Sequence, residues 1–226
     1  MTRETFHESL ERIELELLSM GELAGNAIQR AVDALVSRDD AKANAVIQGD
    51  DPIDERYLAI DSEILSVLAL QSPVAADLRL ISAILHSNLH LERVGDQAVN
   101  VAKLYLRTNS EAGSGSMRQQ IEEMGTIVVS MLRAAMEAFG RRDLELALKV
   151  PAMDDPVDRL NRATHLEALK LADNRSSLDW GLHMNMAARA LERAGDNAVD
   201  IAEQVSFLLT GEFREFTDAS HPVAIE

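Results

Sequence analysis

Apolar positions recur at the three-to-four-residue spacing of helices along almost the whole chain. Leu10, Ile13, Leu17, Met20, Leu23, Ala24, Ala27, Ile28, Ala31 and Leu35 form one long stripe, which predicts a first amphipathic helix. The polar run Ser37–Asp40 breaks it, and a short helical piece follows to Gly49. A longer helix starts near Pro52 and carries Ile53, Tyr57, Ile60, Ile64 and Leu68. In "QSPVAADLRL" (Gln71–Leu80), Ser72 has the chemistry of an N-cap and Pro73 suits a first helical position. The helix opened there runs to about Arg107.

"TNSEAGSGS" (Thr108–Ser116) is rich in Ser and Gly and reads as a linker. The pattern then restarts, with a long helix from Met117 to about Phe139, a break at "GRRD" and a piece reaching Val150. "PAMDDPVD" opens the next helix and "SSLDWGL" the last, and the tail beyond Gly211 reads as loosely held. Two phrases recur in the same order. "LERVGDQAVNVA" (Leu91–Ala102) returns as "LERAGDNAVDIA" (Leu191–Ala202) at an offset of 100. "DDPID" (Asp50–Asp54) returns as "DDPVD" (Asp154–Asp158) at an offset of 104. The difference falls in the turn between the second and third main helices, where insertions cost little. The expectation is an all-α chain of two tandem, pseudo-symmetric three-helix bundles, over 1–110 and 117–212, with a tail at 213–226. End-to-end stacking is one way to arrange them.

Composition supports the helical reading, with 4% aromatic residues and 5 prolines. The net charge of −16 repels phosphate backbones and anionic lipids, which argues against nucleic-acid binding, and it attracts cations and basic protein surfaces. Without cysteine there are no disulfides, thiolate metal sites or thiol nucleophiles. The N-terminus lacks a signal-peptide core and no apolar run is long enough to span a membrane, so a cytoplasmic location is expected.

The repeated phrase is a costly helix. At about 100° per residue, Leu91, Val94, Gly95, Ala98, Val101 and Ala102 share a face, with Glu92, Asp96 and Asn100 along its edge. Glu192, Asp196 and Asp200 repeat that edge. Like charges at i and i+4 cost a few tenths of a kcal/mol, and each of Gly95 and Gly195 costs about 1 kcal/mol relative to alanine. Close approach of a neighbouring backbone would explain the glycines, and a cation would explain the acids. Asp50 with Asp54, and Asp154 with Asp158, supply a second acid pair in each half. If the helices are antiparallel neighbours, four carboxylates face one another. Such oxygen-only ligands suit Mg, Ca, Mn or iron rather than structural zinc.

Plainer readings compete. Asp51 before Pro52, with Asp54 following, also reads as an N-cap and first-turn acid, and Arg93 and Arg193 would make the phrase an ion-pair seam. His86 and His90 point away from the apolar face and read as a solvated pair. His165 stands at the position of Asp61 and could border the second acid cluster, and Trp180 reads as packing at a helix start. There is no nucleophile elbow, phosphate loop or dinucleotide fingerprint. The Glu-x-x-His of di-iron bundles occurs only at Glu4–His7.

"QSPVAADLRL", "LERVGDQAVNVA" and "ARALERAGDNAVDIAE", in this order in a duplicated helical chain, resemble the PhoU family, over about Phe6 to Gly211. The resemblance implies two three-helix bundles, a homodimer and a non-enzymatic negative regulator of the phosphate-starvation response. The implied partners are the ATPase subunit of the phosphate ABC transporter and the membrane sensor histidine kinase, which would place the protein at the inner face of the membrane. It also implies metal at Asp50, Asp54, Glu92 and Asp96, and at Asp154, Asp158, Glu192 and Asp196, with Asp51, Asn100, Asp155 and Asp200 at the margins. Iron, manganese, magnesium, zinc or nickel are the ions expected. The chain departs from the family in the residue inserted within Gln71-Ser72-Pro73-Val74 and in Asn100, which stands where the second half has Asp200. A metal-buffering bundle is the alternative function. A metal-dependent phosphohydrolase would have the carboxylates but no evident base or phosphate clamp.

Overall fold

The computed structural model describes residues 3–70, 73–108 and 113–216, with side chains from residue 5 onward. Their secondary structure is entirely helical. The helices are α1 (Arg3–Ser37), α2 (Asp40–Gln48), α3 (Asp51–Leu70), α4 (Ala75–Thr108), α5 (Gly115–Arg141), α6 (Leu144–Ala147), α7 (Val150–Leu169) and α8 (Arg175–Thr210). Each half thus has three main helices and one short helical piece, as the periodicity predicts.

The joint after each first helix is built the same way in both halves. Arg38 (φ 57°) and Arg142 (φ 56°) turn the chain in the left-handed region that ends many helices. The next residue caps the short helix: Asp39 Oδ1 accepts from the Lys42 N–H at 3.0 Å, and Asp143 Oδ1 from the Leu146 N–H at 2.9 Å. The opening of α4 differs from expectation. The Val74 carbonyl accepts the first helical bond, from the Leu78 N–H at 2.9 Å, so Pro73 lies before the helix instead of at its first position. Asp77 then falls in the first turn, where the helix dipole favours an acid. Ser72 and residues 109–112 of the Thr108–Ser116 linker lie outside the described residues.

The halves lie side by side, not end to end. Met136 lies against Gly21, Leu132 against Gly25 and Val32 against Gly125, so α1 and α5 run antiparallel along much of their length. α4 and α8 pack together in the same manner, with α3 outside α1 and α4, and α7 outside α5 and α8. One continuous core results. Ile13, Leu17, Ile84, Leu91, Phe139 and Leu191 are fully buried within it, each contributing about 1.5–3 kcal/mol. The end-to-end arrangement fails because the glycine- and alanine-rich faces of the long helices are buried against the other half. Trp180, near the start of α8, is buried with the Arg118 guanidinium carbon 6.0 Å from its ring centroid. The chain beyond Gly211 is held as far as Phe216: its backbone N–H donates to Glu203 Oε1 at 2.6 Å, and Phe213 stacks on Phe207 with centroids 3.9 Å apart. No helix among the described residues is long and apolar enough to cross a membrane.

Candidate functional site

The eight predicted carboxylates gather in two clusters, one per half. Helical periodicity carries Glu92 and Asp96 to the edge of α4 that meets the start of α3. Burial and then Asp54 and Asp96 push the Asp50 carboxyl above its usual range. Burial and then Asp96, Asp54 and Asp50 do the same to Glu92. The second cluster, between α7 and α8, lies deeper. Asp154 is 9% exposed and Glu192 8%. Burial, followed by the charges of Asp196, Asp158 and Glu192, pushes the Asp154 carboxyl up to about 7. Asp196 is raised by burial and then by Asp200 and Asp158, and Glu192 by burial and then by Asp196.

The clusters sit differently on their helices. Asp50 precedes α3, and its carbonyl accepts from the Ile53 N–H at 2.8 Å, so Asp50 and not Asp51 stands in the capping position. α7 begins at Val150, one turn earlier relative to the motif, which places Asp154 inside the helix and Pro156 in its second turn.

The glycines explain the approach. A Cβ on Gly195 would stand 2.8 Å from Asp154 Oδ1, and one on Gly95 would stand 3.0 Å from Ile53 Cδ1 and 3.4 Å from Asp50 Oδ1. The expected close neighbour was a backbone; in both halves it is a side chain from the start of the adjacent helix. Asp154 Oδ1 and Glu192 Oε2 are buried without a hydrogen-bond partner, a costly state for anionic oxygens.

Arg93 and Arg193 act on these acids only at longer range, Arg93 on Glu92 and Arg193 on Glu192 and Asp196; the direct ion pairs are made by other arginines. Arg189 donates from Nη1 to Glu192 Oε1 at 2.7 Å, and Arg162 from Nη1 to Asp158 Oδ2 at 3.3 Å. The i, i+3 and i, i+4 spacings carried that signal in the sequence. His90 is also not solvated: its side chain is 13% exposed, and Nδ1 lies 3.2 Å from Asp200 Oδ2 and 2.9 Å from Asn197 Oδ1 on α8. Of this pair, His86 alone is exposed. Asp200 thus joins the halves while its charge reaches Asp196. Asp51, Asn100 and Asp155 are exposed at the margins. His165 Nδ1 is 3.5 Å from Asn185 Oδ1 of α8.

The donor set suits a hard cation: carboxylates only, two of them with unpaired buried oxygens. Among the described residues, however, no three His, Asp or Glu side chains surround a common point as ligands would. The carboxylates are gathered but not converged, as expected of charges that repel one another.

A PhoU domain model matches residues 17–105 and again 121–205, and both motif clusters fall within these two matches. The chain belongs to the PhoU family. It is 33% identical over 220 residues to a phosphate-specific transport system accessory protein PhoU homolog of Clostridium acetobutylicum, covering 96% of this chain and 100% of that one. It is 36% identical over 217 residues to the homolog of Pseudomonas aeruginosa, covering 96% and 88%. The crystal structure of PhoU from Pseudomonas aeruginosa superposes with a TM-score of 0.87 over 92% of this chain and 100% of that chain. The phosphate transport system regulatory protein PhoU from Streptococcus pneumoniae superposes with a TM-score of 0.85 at 28% identity over 93% and 99%. This PhoU-family chain therefore has the two-repeat helical fold of those proteins over nearly all its length.

Proposed function

We propose that this chain is an accessory regulator of phosphate-specific transport that holds the phosphate-starvation response down when phosphate is plentiful. The observation that carries the reading is the near full-length match to accessory proteins of that transport system, with both repeats present. In this reading it works by contact, as a homodimer, joining the ATPase subunit of the phosphate ABC transporter to the sensor histidine kinase at the inner face of the membrane. Its net charge of −16 favours basic docking surfaces on those partners. Deleting the gene is expected to raise phosphate-starvation transcripts in phosphate-rich medium, and restoring it to lower them. Unchanged transcripts would overturn the regulatory reading.

The acid clusters have a role in the same proposal. Asp154, Asp158, Glu192 and Asp196 would hold a hard divalent or ferric ion, as would Asp50, Asp54, Glu92 and Asp96. Such an ion supplies positive charge to the seam between α7 and α8, where two buried carboxylate oxygens have no partner. Metal analysis of purified protein, with Asp154→Asn and Glu192→Gln as controls, tests this. A few ions per chain, lost in the variants, supports a structural or signalling ion. Many ions per chain would favour the metal-buffering alternative, and none after loading with manganese or iron would end the metal assignment.

A further inference from the structure

Among the described residues, one groove is lined by several basic side chains although the chain's net charge is −16. It lies between the C-terminal half of α4, the middle of α7 and the first half of α8, with a volume of about 870 Å³. That is the size of small-molecule sites, roughly 300–1,000 Å³. Lys103, Arg107, Arg162, Arg189 and Arg193 line it together with His165, and no Asp or Glu does. Arg162 and Arg189 are occupied by Asp158 and Glu192. Lys103, Arg107 and Arg193 make no direct salt bridge among the described residues; Lys103 acts on Asp50, and Arg193 on Glu192 and Asp196, only at longer range, so their donors stay available to an anion in the groove.

The internal duplication supplies a comparison. The pseudo-twofold relates this groove to the region between the second half of α8, α3 and the first half of α4. There the position of Lys103 is taken by Glu203, Arg107 by Phe207, Arg162 by Leu58 and Arg189 by Leu89; of the five, only Arg193 keeps its charge, as Arg93. The position of His165 is taken by Asp61. In that region the C-terminal segment packs, with Phe216 bonded to Glu203 and Phe213 on Phe207. One copy is thus neutral-to-acidic and partly covered by the chain's own tail, while the other is basic and open. The cations are a property of one site and not of the fold.

The groove also has an apolar side. Leu166 and Met186 are 59% and 55% exposed and line it, beside the amides of Asn161 and Asn185. Clustered guanidiniums recognise phosphate oxygens, an exposed leucine and methionine offer a surface to a flat apolar ring, and amides read its polar edge. Long nucleic acids are excluded by the surrounding negative charge. We propose that this groove binds a nucleoside polyphosphate, with its phosphates toward Lys103, Arg107 and Arg193 and its base against Leu166 and Met186. The proposal does not rest on the regulatory reading above.

Isothermal titration of the full chain with ATP, with and without magnesium, tests it, alongside pyrophosphate, inorganic phosphate and adenosine. Saturable ATP binding is expected, with adenosine and inorganic phosphate each weaker by on the order of a hundredfold. Arg107→Glu and Lys103→Glu each weaken ATP by on the order of tenfold or more. Both positions are exposed, so the fold is expected to survive, which circular dichroism checks. Glu203→Gln, at the position that corresponds to Lys103 in the other repeat, leaves binding unchanged. Met186→Gln weakens ATP but not pyrophosphate. No ATP binding at millimolar concentration would overturn the proposal, as would full affinity in Arg107→Glu. Pyrophosphate binding as tightly as ATP would overturn the nucleoside assignment.

Discussion

Asp154 concentrates the physical conflict in this molecule. Its carboxyl is raised to about 7 when folded, against 3.8 in the unfolded chain. The folded state therefore holds the proton more tightly, and stability contributed by the protonated form is lost as pH rises from about 4 to 7 and is level above that. Asp196 and Glu192 are raised in the same direction. Without metal, the melting temperature is expected to fall through that window. Asp154→Asn should stabilise the metal-free protein by about 1–2 kcal/mol at pH 8 and change little at pH 4, measured by urea unfolding. Loss of stability at pH 8 would contradict this account. The two glycines give an asymmetric pair. Gly195→Ala gains about 1 kcal/mol of helix propensity but sets a methyl group 2.8 Å from a buried carboxylate oxygen. A net loss of about 1–3 kcal/mol is expected. Gly95→Ala meets the movable end of Ile53 and should stay within about 1 kcal/mol of the parent.

At the scale of the element, the joint between first and short helix is the most faithfully repeated piece of the fold. Asp39→Ala and Asp143→Ala each remove a cap bond of about 3 Å, and each should cost about 1 kcal/mol in chemical denaturation. The breaks at "SRDD" and "GRRD" were legible because polar residues interrupt an apolar stripe. That an arginine turns the chain with positive φ was not, since Arg carries no preference for that region. The two acid clusters were legible because duplicated sequence identified them and helical spacing oriented them. Their cations were harder. Arg189 and Arg162 are local partners that spacing reveals only once the acids are known to face inward. His90 pairs across the α4–α8 seam with Asp200, a contact between residues far apart in the chain, and no local pattern encodes it. The wheel placed His90 nearly opposite Glu92, pointing away from the apolar face; the error was to assume solvent there, where α8 packs.

At the scale of the whole molecule, side-by-side packing makes one core of two repeats. The long helices bury apolar surface against the other half, so neither repeat can satisfy itself alone. A chain restricted to residues 113–216 is expected to lose cooperative unfolding and to expose apolar surface, seen as dye binding and a featureless near-ultraviolet dichroism spectrum. The intact chain should unfold in one transition by both near- and far-ultraviolet dichroism; two separated transitions would show independent repeats. The antiparallel contact of α1 with α5 has a further meaning. It is the kind of self-complementary seam that joins two identical subunits, here written into a single chain whose halves are tethered between Thr108 and Gly113. Such a tether acts only by holding the halves at high local concentration. Severed there, the two pieces should find each other in solution and rebuild the fold. The repeat is then best thought of as two subunits that share one gene, each free to drift from the other while their common seam is kept.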